Sequence, residues 1–382
     1  MANITLPEPV WIASNDALRD ACVAWLEAPY LAVDTEFMRT NTFYPVAGLL
    51  QIADQYGSYL IDPLEIDCWQ PLADVFVQSS VVKVFHACAE DLDVCRQLLG
   101  VVPQPLADTQ VGAALSGLGA SMGFQRLLNE LMQIDLSKEE TRSNWLQRPL
   151  RHEQIQYAIA DVHYLFALYP VLLQRLCDSK RLTWFEQDCE RLVALAQQEE
   201  PLEHYYRKVK LAWKLRPQEQ YILQQLVIWR EQQARLRNVP RNKVIDDQAL
   251  WYLARFKARN RDQLAKAGIK PAAIREDGTT LLRIVSDADK ADGDCWPLQL
   301  DRPLSPMASQ WHKQLKAIVQ RKAEELGIAP DLLAKKKAIE ALIRSGFPDG
   351  PFQLPEGLTG WRQDMIGNEL LLYLKEYRGG NA

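Results

Sequence analysis

The 382-residue chain lacks the features that would mark a membrane, secreted or zinc protein. No run approaches the roughly 18 apolar residues that a membrane-spanning helix needs. The opening residues, MANITLPEPV, carry neither a basic nor an apolar leader stretch, so no secretory signal is expected. The 7 cysteines (Cys22, Cys68, Cys88, Cys95, Cys177, Cys189 and Cys295) are scattered and never form a CxxC pair. An odd, dispersed set argues against a disulfide framework and fits a reducing, cytoplasmic setting. The 5 histidines are just as dispersed, which argues against a His/Cys metal site.

Positive charge is what the first half has little of. Residues 1–205 hold 13 Lys and Arg against 28 Asp and Glu, a net of −15, whereas residues 206–382 hold 31 against 21, a net of +10. An acidic half joined to a basic half suggests two jobs. An excess of Lys and Arg neutralises phosphates, so the basic half fits a grip on nucleic acid, unless its cations merely solvate helix faces.

Hydrophobic patterning changes at about the same place. In the first 200 residues, LLQIADQYGSYLID (49–62) reads as a hairpin with its turn at Asp54–Gly57, and VVKVFHA (81–87) as a strand. AEDLDVCRQLLG (89–100) reads as a helix ending at Gly100, QPLADTQVGAAL (104–115) as a short strand entering a helix at Asp108, and residues 151–176 as a long helix. This is an α/β pattern. The remainder reads as helical, with a helix over 216–240 stopped by Pro240 and a linker over 291–306. Leu236 and Pro240 recur as Leu326 and Pro330, each pair preceded and followed by apolar helical runs. The recurrence implies two related helical domains of about 80 residues, a period too long for a solenoid unit.

Within the acidic half, YLAVDTEFMRT (30–40) is a short apolar strand that ends in two carboxylates. Side chains alternate along a strand, so Asp34 and Glu36 project from one face. Burying that pair costs several kcal/mol unless a cation compensates, so this end of the strand is either solvated or holds a cation. In the helix 89–100, Asp91 shares the apolar stripe with Val94, Cys95 and Leu98, whereas Glu90 and Asp93 lie off it. Asp91 can be an inward ligand or a first-turn partner of free N–H groups. Asp161 is the one Asp, Glu, Lys or Arg in QIQYAIADVHYLFALYPVLLQ (154–174), one turn beyond Tyr157 on the packing face. It either pairs with a buried hydroxyl or with Arg142, or it faces the strand acids. Asp108 sits where a strand enters a helix and reads as an N-cap. Four converging carboxylates would suit Mg²⁺ or Mn²⁺, and a pair of such ions about 4 Å apart can align water and leaving oxygen at a phosphodiester.

These segments resemble the DEDD superfamily of 3′→5′ exonucleases, in its tyrosine subclass, and within it the ribonuclease D family. DTEF (34–37), FHACAEDLDV (85–94) and YAIAD (157–161) match the three motifs, and the position where the histidine subclass carries His is Gln156. The likeness continues through TFYPVAGLLQIAD (42–54), SYLIDPL (58–64) and ETRSNWLQRPLRHEQIQYA (140–158), and the helical units resemble HRDC domains. The resemblance implies a ribonuclease-H-like (DnaQ-like) α/β exonuclease domain with a mixed sheet over residues 1–205, a first all-α HRDC domain over 211–292 and a second over 303–382. It implies hydrolysis of RNA from the 3′ end into 5′-mononucleotides with two divalent ions, Mg²⁺ or Mn²⁺. Expected substrates are tRNA precursors and other structured RNA 3′ ends, with no membrane and no obligate protein partner. Asp34, Glu36, Asp91 and Asp161 would hold the ions, and Tyr157 would orient the attacking water.

Phe37 and Met38 are expected to wedge against the terminal base, Phe37 having core packing as its other reading. His86 and His163 are expected to be structural, and Arg39 to contact a phosphate or an acid. Lys243, Arg255, Lys257, Arg259 and Arg261 are candidates for RNA backbone contacts. A DNA 3′→5′ exonuclease and a non-catalytic nucleic-acid-binding protein are the alternatives.

Overall fold

The computed structural model describes residues 6–136 and 143–379. It separates into two units: one runs up to Met38, then over Ala47–Gln197 and from Leu304 on; the other comprises Arg39–Val46 and Gln198–Pro303.

The first unit is built on six strands, β1 (Val10–Ile12), β2 (Tyr30–Met38), β3 (Val46–Ala53), β4 (Ser58–Ile61), β5 (Val82–Phe85) and β6 (Leu106–Asp108), in the order β1-β4-β3-β2-β5-β6. β3 and β4 are antiparallel, whereas β1 with β4, β2 with β5 and β5 with β6 are parallel, so the sheet is mixed. The β3–β4 turn is closed by Asp54, whose Oδ1 accepts the backbone N–H of Tyr56 at 2.7 Å and Gly57 at 3.0 Å. This is the side-chain turn that an Asp at that position favours.

Helices α1 (Asn15–Trp25), α2 (Gln70–Val77), α3 (Ala89–Leu99), α4 (Thr109–Leu115), α5 (Phe124–Met132), α6 (His152–Asp178) and α7 (Leu182–Gln197) complete the α/β part. Helix α3 stops at Gly100, whose φ of 73° is the left-handed cap that glycine adopts without strain. Alternation along β2 assigns the two faces of the sheet. Leu31 and Val33 pack with Leu18, Trp25 and Phe85 in one buried cluster, while Ala32 packs with Leu165 and Leu168 of α6 in the other. By the same alternation Asp34 and Glu36 lie on the α6 face and Thr35 on the α3 face. Register does the rest: β2 pairs with β5 over Tyr30–Ala32, so the acids lie beyond the segment paired with β5. Because β2, β5 and β6 are parallel, their carboxyl ends, and with them the start of α3, reach the same edge.

The second unit contains α8 (Pro217–Leu236), α9 (Arg241–Val244), α10 (Asp247–Phe256), α11 (Arg261–Lys266) and α12 (Pro271–Asp289) around a core that includes Leu226, Leu250, Leu253, Leu281 and Val285. Phe43, from the segment joining β2 to β3, packs against this core, and Asn238 Oδ1 accepts the N–H groups of Phe43 at 3.0 Å and Tyr44 at 3.1 Å. The sequence pattern carries α8 to Pro240, but the helix ends at Leu236, and Asn238 takes a left-handed φ of 47°. The chain turns there because Asn tolerates that conformation, before the proline is reached. The segment read as a linker over 291–306 is irregular apart from one 3₁₀ turn, Gly293–Cys295.

In the first unit again, α13 (Pro306–Leu326), α14 (Pro330–Leu333) and α15 (Lys336–Arg344) repeat the succession of α8 to α10, and α16 (Asn368–Gly379) follows. Their apolar residues belong to the same buried cluster as α4, α6 and α7. Trp361 stacks on Trp184 of α7 at 4.3 Å with planes 6° apart, and Arg362 forms a two-pronged pair with Asp188 at 2.5 and 2.8 Å. Arg181 donates to the carbonyls of Leu115 and Leu326. Among the described residues no helix is long and apolar enough to cross a membrane.

Candidate active site

At the carboxyl end of β2, Asp34, Glu36 and Asp161 each offer a carboxylate oxygen, and these oxygens lie within 4.8 Å of one another. Two come from alternate positions of β2 and the third from the face of α6 that packs on the sheet. Tyr157, one turn before Asp161 in α6, donates its hydroxyl to that carboxylate. Asp91 arrives from the first turn of α3. Its side chain is buried, whereas Glu90 and Asp93 are exposed, so the stripe assigns the inward acid of that helix. Asp91 stands outside the three-carboxylate group and accepts the Thr35 hydroxyl on Oδ1 at 2.5 Å. Thr35 can reach it because it points to the α3 face, between the two acids that do not.

Burial and mutual repulsion set the electrostatics. Burial, then the charge of Asp161, pushes Asp34 up to about 8. Burial, then Asp34, Asp161 and Asp91, pushes Glu36 up to about 10. Burial raises Asp161 to about 7 against the opposing hydrogen bond from Tyr157. Burial and Asp34 hold Asp91 well above the ordinary carboxylate range, although the Thr35 hydrogen bond works the other way. The Tyr157 phenol is raised by burial and by Asp161, Glu36 and Asp34. Among the described residues no Lys or Arg forms an ion pair with Asp34, Glu36, Asp91 or Asp161. Converging acids without a cation are costly. Hard oxygen donors at this spacing fit a divalent ion such as Mg²⁺ or Mn²⁺ and not the nitrogen- and sulfur-rich set that zinc prefers.

The acids open into a cavity of about 640 Å³ lined by Asp34, Thr35, Glu36, Tyr157 and Asp161 together with His86, Gly123, Phe124, Gln125, Arg126 and Leu165. Phe37 and Met38 are half-buried at the end of β2, and neither lines this cavity. His86 does line it, but both ring nitrogens are engaged, Nδ1 with Thr109 Oγ1 at 2.9 Å and Nε2 with the Met122 carbonyl at 3.0 Å. Asp108 caps α4 through the N–H groups of Gln110 and Val111, as its position suggested, and also accepts those of Ala87 and Cys88. Arg39 donates to the Phe43 carbonyl at 3.1 Å. Arg142, weighed above as a partner for Asp161, lies outside the described residues.

Of the basic candidates, Arg255 pairs with Glu219 at 2.8 Å and Lys257 with Asp289 at 2.7 Å. Lys243, Arg259 and Arg261 are exposed, and among the described residues no ion pair holds them. Sequence reasoning passed over Phe124 and Arg126 because they lie in a stretch without a motif. Only the packing of α5 brings them to the acids.

Three family models match the chain: a 3′–5′ exonuclease over residues 9–177, an HRDC domain over 219–285 and the ribonuclease D C-terminal HRDC domain over 306–370. The chain is 46% identical to ribonuclease D of Pseudomonas paraeruginosa over 369 residues, covering 96% of this chain and 98% of that one. It is 34% identical to ribonuclease D of Escherichia coli over 371 residues, again covering 96% and 98%. The crystal structure of E. coli RNase D superposes with a TM-score of 0.92, covering 97% of this chain and all of that one. The catalytic core of RRP6 from Trypanosoma brucei, 23% identical with a TM-score of 0.58, shares the fold. The exonuclease fold with a mixed six-stranded sheet followed by helical HRDC domains is the architecture that the motifs led one to expect, and the chain belongs to the ribonuclease D family of metal-dependent 3′→5′ exoribonucleases.

Proposed function

We propose that this chain shortens structured RNA one nucleotide at a time from the 3′ end, releasing 5′-mononucleotides, and that tRNA precursors with 3′ extensions are among its substrates. The observation that carries this reading is the convergence of Asp34, Glu36 and Asp161, with Asp91 held beside β2 by Thr35. These four acids would hold two divalent ions, Mg²⁺ or Mn²⁺. Bound there, such ions supply the positive charge that offsets the phosphodiester and lowers the cost of ionising water.

The protein's own groups do the rest. Tyr157 keeps its proton, because burial and three neighbouring carboxylates oppose its ionisation. It is therefore a hydrogen-bond donor that orients Asp161 and the attacking water, and not a general base. The Thr35 hydroxyl fixes the rotamer of Asp91. Phe37 and Met38 are proposed to border the path of the 3′ end, and Lys243, Arg259 and Arg261 to hold RNA phosphates farther from the cut. The proposed domains are residues 1–205 for the exonuclease, 211–292 for the first HRDC domain and 303–382 for the second. The proposed setting is the cytoplasm, which the scattered cysteines suit, and no protein partner is required.

A time course on a 3′-extended tRNA precursor, with the wild type and Asp34→Asn side by side, tests the reading. Stepwise shortening that disappears in Asp34→Asn and in EDTA is expected. Equal or faster cleavage of a matched DNA oligonucleotide would overturn the ribonuclease assignment, and an RNA effect indifferent to both EDTA and Asp34→Asn would leave only binding.

A further inference from the structure

The cavity at the acids has lining residues that the hydrolytic chemistry does not use. Gly123–Arg126, at the start of α5, line it together with Asp34, Glu36, Tyr157 and Asp161. Helix α5 is anchored by Leu127 and Leu128, both fully buried, so its first residues are held in place from behind. Phe124 is half-buried, with its ring centroid 5.5 Å from that of His86. His86 cannot swing away, because hydrogen bonds fix both its nitrogens. Arg126 is the one Lys or Arg among the cavity-lining residues; it is exposed, and among the described residues it makes no ion pair.

An aromatic ring packed on His86 and a guanidinium that forms no ion pair among the described residues line one cavity with a carboxylate cluster, and together they match the parts of a nucleotide. The base offers a flat face, and base–aromatic stacking is tolerant of sequence. The phosphate is planar-fork compatible, and Arg is the side chain that meets it with two donors at once. The cavity volume of about 640 Å³ falls within the roughly 300–1,000 Å³ of small-molecule sites. Leu165, on α6, gives the cavity a further apolar patch.

Resting on the exonuclease reading above, we propose that Phe124 and Arg126 form the substrate-positioning subsite of this enzyme. Phe124 stacks on the 3′-terminal base, and Arg126 pairs with the phosphate adjacent to the one that is cut. The subsite binds without reading sequence, which is what an enzyme that removes successive nucleotides requires. It also places a positive charge in the cavity that the acids line, which favours entry of the phosphate backbone.

The test compares wild type, Asp34→Asn, Arg126→Ala, Arg126→Lys, Phe124→Ala and Phe124→Tyr on a short RNA with a 3′-hydroxyl, on the same RNA ending in an abasic residue, and on the p-nitrophenyl ester of a 5′-mononucleotide, which has no adjacent phosphate. Arg126→Ala is expected to raise KM on RNA about tenfold with kcat changed less than threefold, and to lower the slope of log KM against log salt by about one. Arg126→Lys should recover most of the loss, and the ester should lose at least fivefold less than the RNA. Phe124→Ala should raise KM about tenfold on ordinary RNA and far less on the abasic end, with Phe124→Tyr close to wild type. Equal losses on RNA and ester, an unchanged salt slope, or equal losses on ordinary and abasic ends would overturn the subsite. Equilibrium binding of the short RNA without metal reads the same contacts independently. A wild type that binds but does not shorten RNA would overturn the exonuclease reading alone, and variants that bind as tightly as wild type would overturn the subsite alone.

Discussion

Carboxylates withdrawn from bulk solvent, fully in one unit and by half in the other, occur in both units, and their company differs. In the helical unit Glu219, Glu231 and Asp277 are nearly inaccessible, and each meets an arginine: Arg255 at 2.8 Å, Arg241 at 2.6 Å and Arg237 at 2.6 Å. At the end of β2, Asp34, Glu36 and Asp161 converge within 4.8 Å and meet no such partner among the described residues. A paired acid inside a helical bundle is an answer to its own burial, and removing the partner exposes the cost. A cluster left unpaired is tolerable only if something else supplies the charge, and a divalent ion is the physical class that fits three hard oxygens. The lesson is that burial alone does not mark a functional acid. The missing counter-charge does.

The largest expected effect comes from relieving the unpaired cluster. Asp161→Asn should lower the Mg²⁺-dependent rate by at least about a thousandfold, ~4 kcal/mol in activation free energy, and at the same time raise the melting temperature of the metal-free protein. Function and stability should move in opposite directions because the wild-type charge is useful only when compensated. The pH dependence follows with a definite sign. The folded-state carboxyls are raised above their ordinary value of 3.8, Asp161 to about 7 and Asp34 to about 8, so the folded state binds protons more tightly than the unfolded chain. The stability they contribute is complete below the unfolded value and is lost as pH rises through 7 and 8. Thermal melts of the metal-free wild type should therefore show the melting temperature falling by about 5 °C or more between pH 5 and pH 8. Saturating Mg²⁺ should cancel that fall, because binding favours the ionised carboxylates. Asp161→Asn should flatten it, and a flat profile in the metal-free wild type would contradict the whole account of the cluster.

The paired side of the comparison predicts the reverse. Arg255→Ala strands Glu219, which among the described residues keeps the backbone N–H of Arg216 at 2.9 Å and a more distant Arg216 guanidinium. Loss of one partner of a fully buried pair costs roughly 3–5 kcal/mol, and because Arg255 is 38% exposed and one hydrogen bond is retained this case falls lower, at about 2 kcal/mol. Hydrogen exchange should accelerate in α8 and α10, while the rate on a short RNA stays within about twofold. A large fall in RNA affinity with unchanged exchange would instead restore Arg255 to the group of RNA contacts in which the sequence pattern placed it.

Arg255 shows where sequence stops being informative. Strand alternation was enough to put Asp34 and Glu36 on one face, and a helical stripe was enough to choose Asp91 over Glu90 and Asp93, because both periods are local. The hydrogen bond of Thr35 to Asp91 was not legible, since it joins residues that only the sheet brings together. Arg255 and Lys257 looked available because their partners, Glu219 and Asp289, are distant in sequence. The repeated helical pattern had the same weakness. The succession α8–α10 recurs as α13–α15, yet the first copy closes its own core and the second shares one with α4, α6 and α7, through the Trp184–Trp361 stack and the Asp188–Arg362 pair. An apolar helix stripe records that a surface is covered, not which element covers it.

The smallest expected effect concerns the phenol hydroxyl beside the unpaired acids. Tyr157 donates to Asp161 and is raised far above the ordinary phenol range by burial and by Asp161, Glu36 and Asp34. On the proposed reading the hydroxyl orients and does not abstract. Tyr157→Phe should then cost about tenfold in rate, ~1.4 kcal/mol, with Mg²⁺ affinity by titration calorimetry unchanged within about twofold. The pH–rate profile distinguishes the roles. A general base would take with it the limb of the profile it controls, whereas an orienting donor lowers the whole profile and leaves its shape. If metal affinity fell along with the rate, the hydroxyl would be holding Asp161 for the ions, and Tyr157 would belong with Thr35, a residue that fixes a carboxylate and not the water.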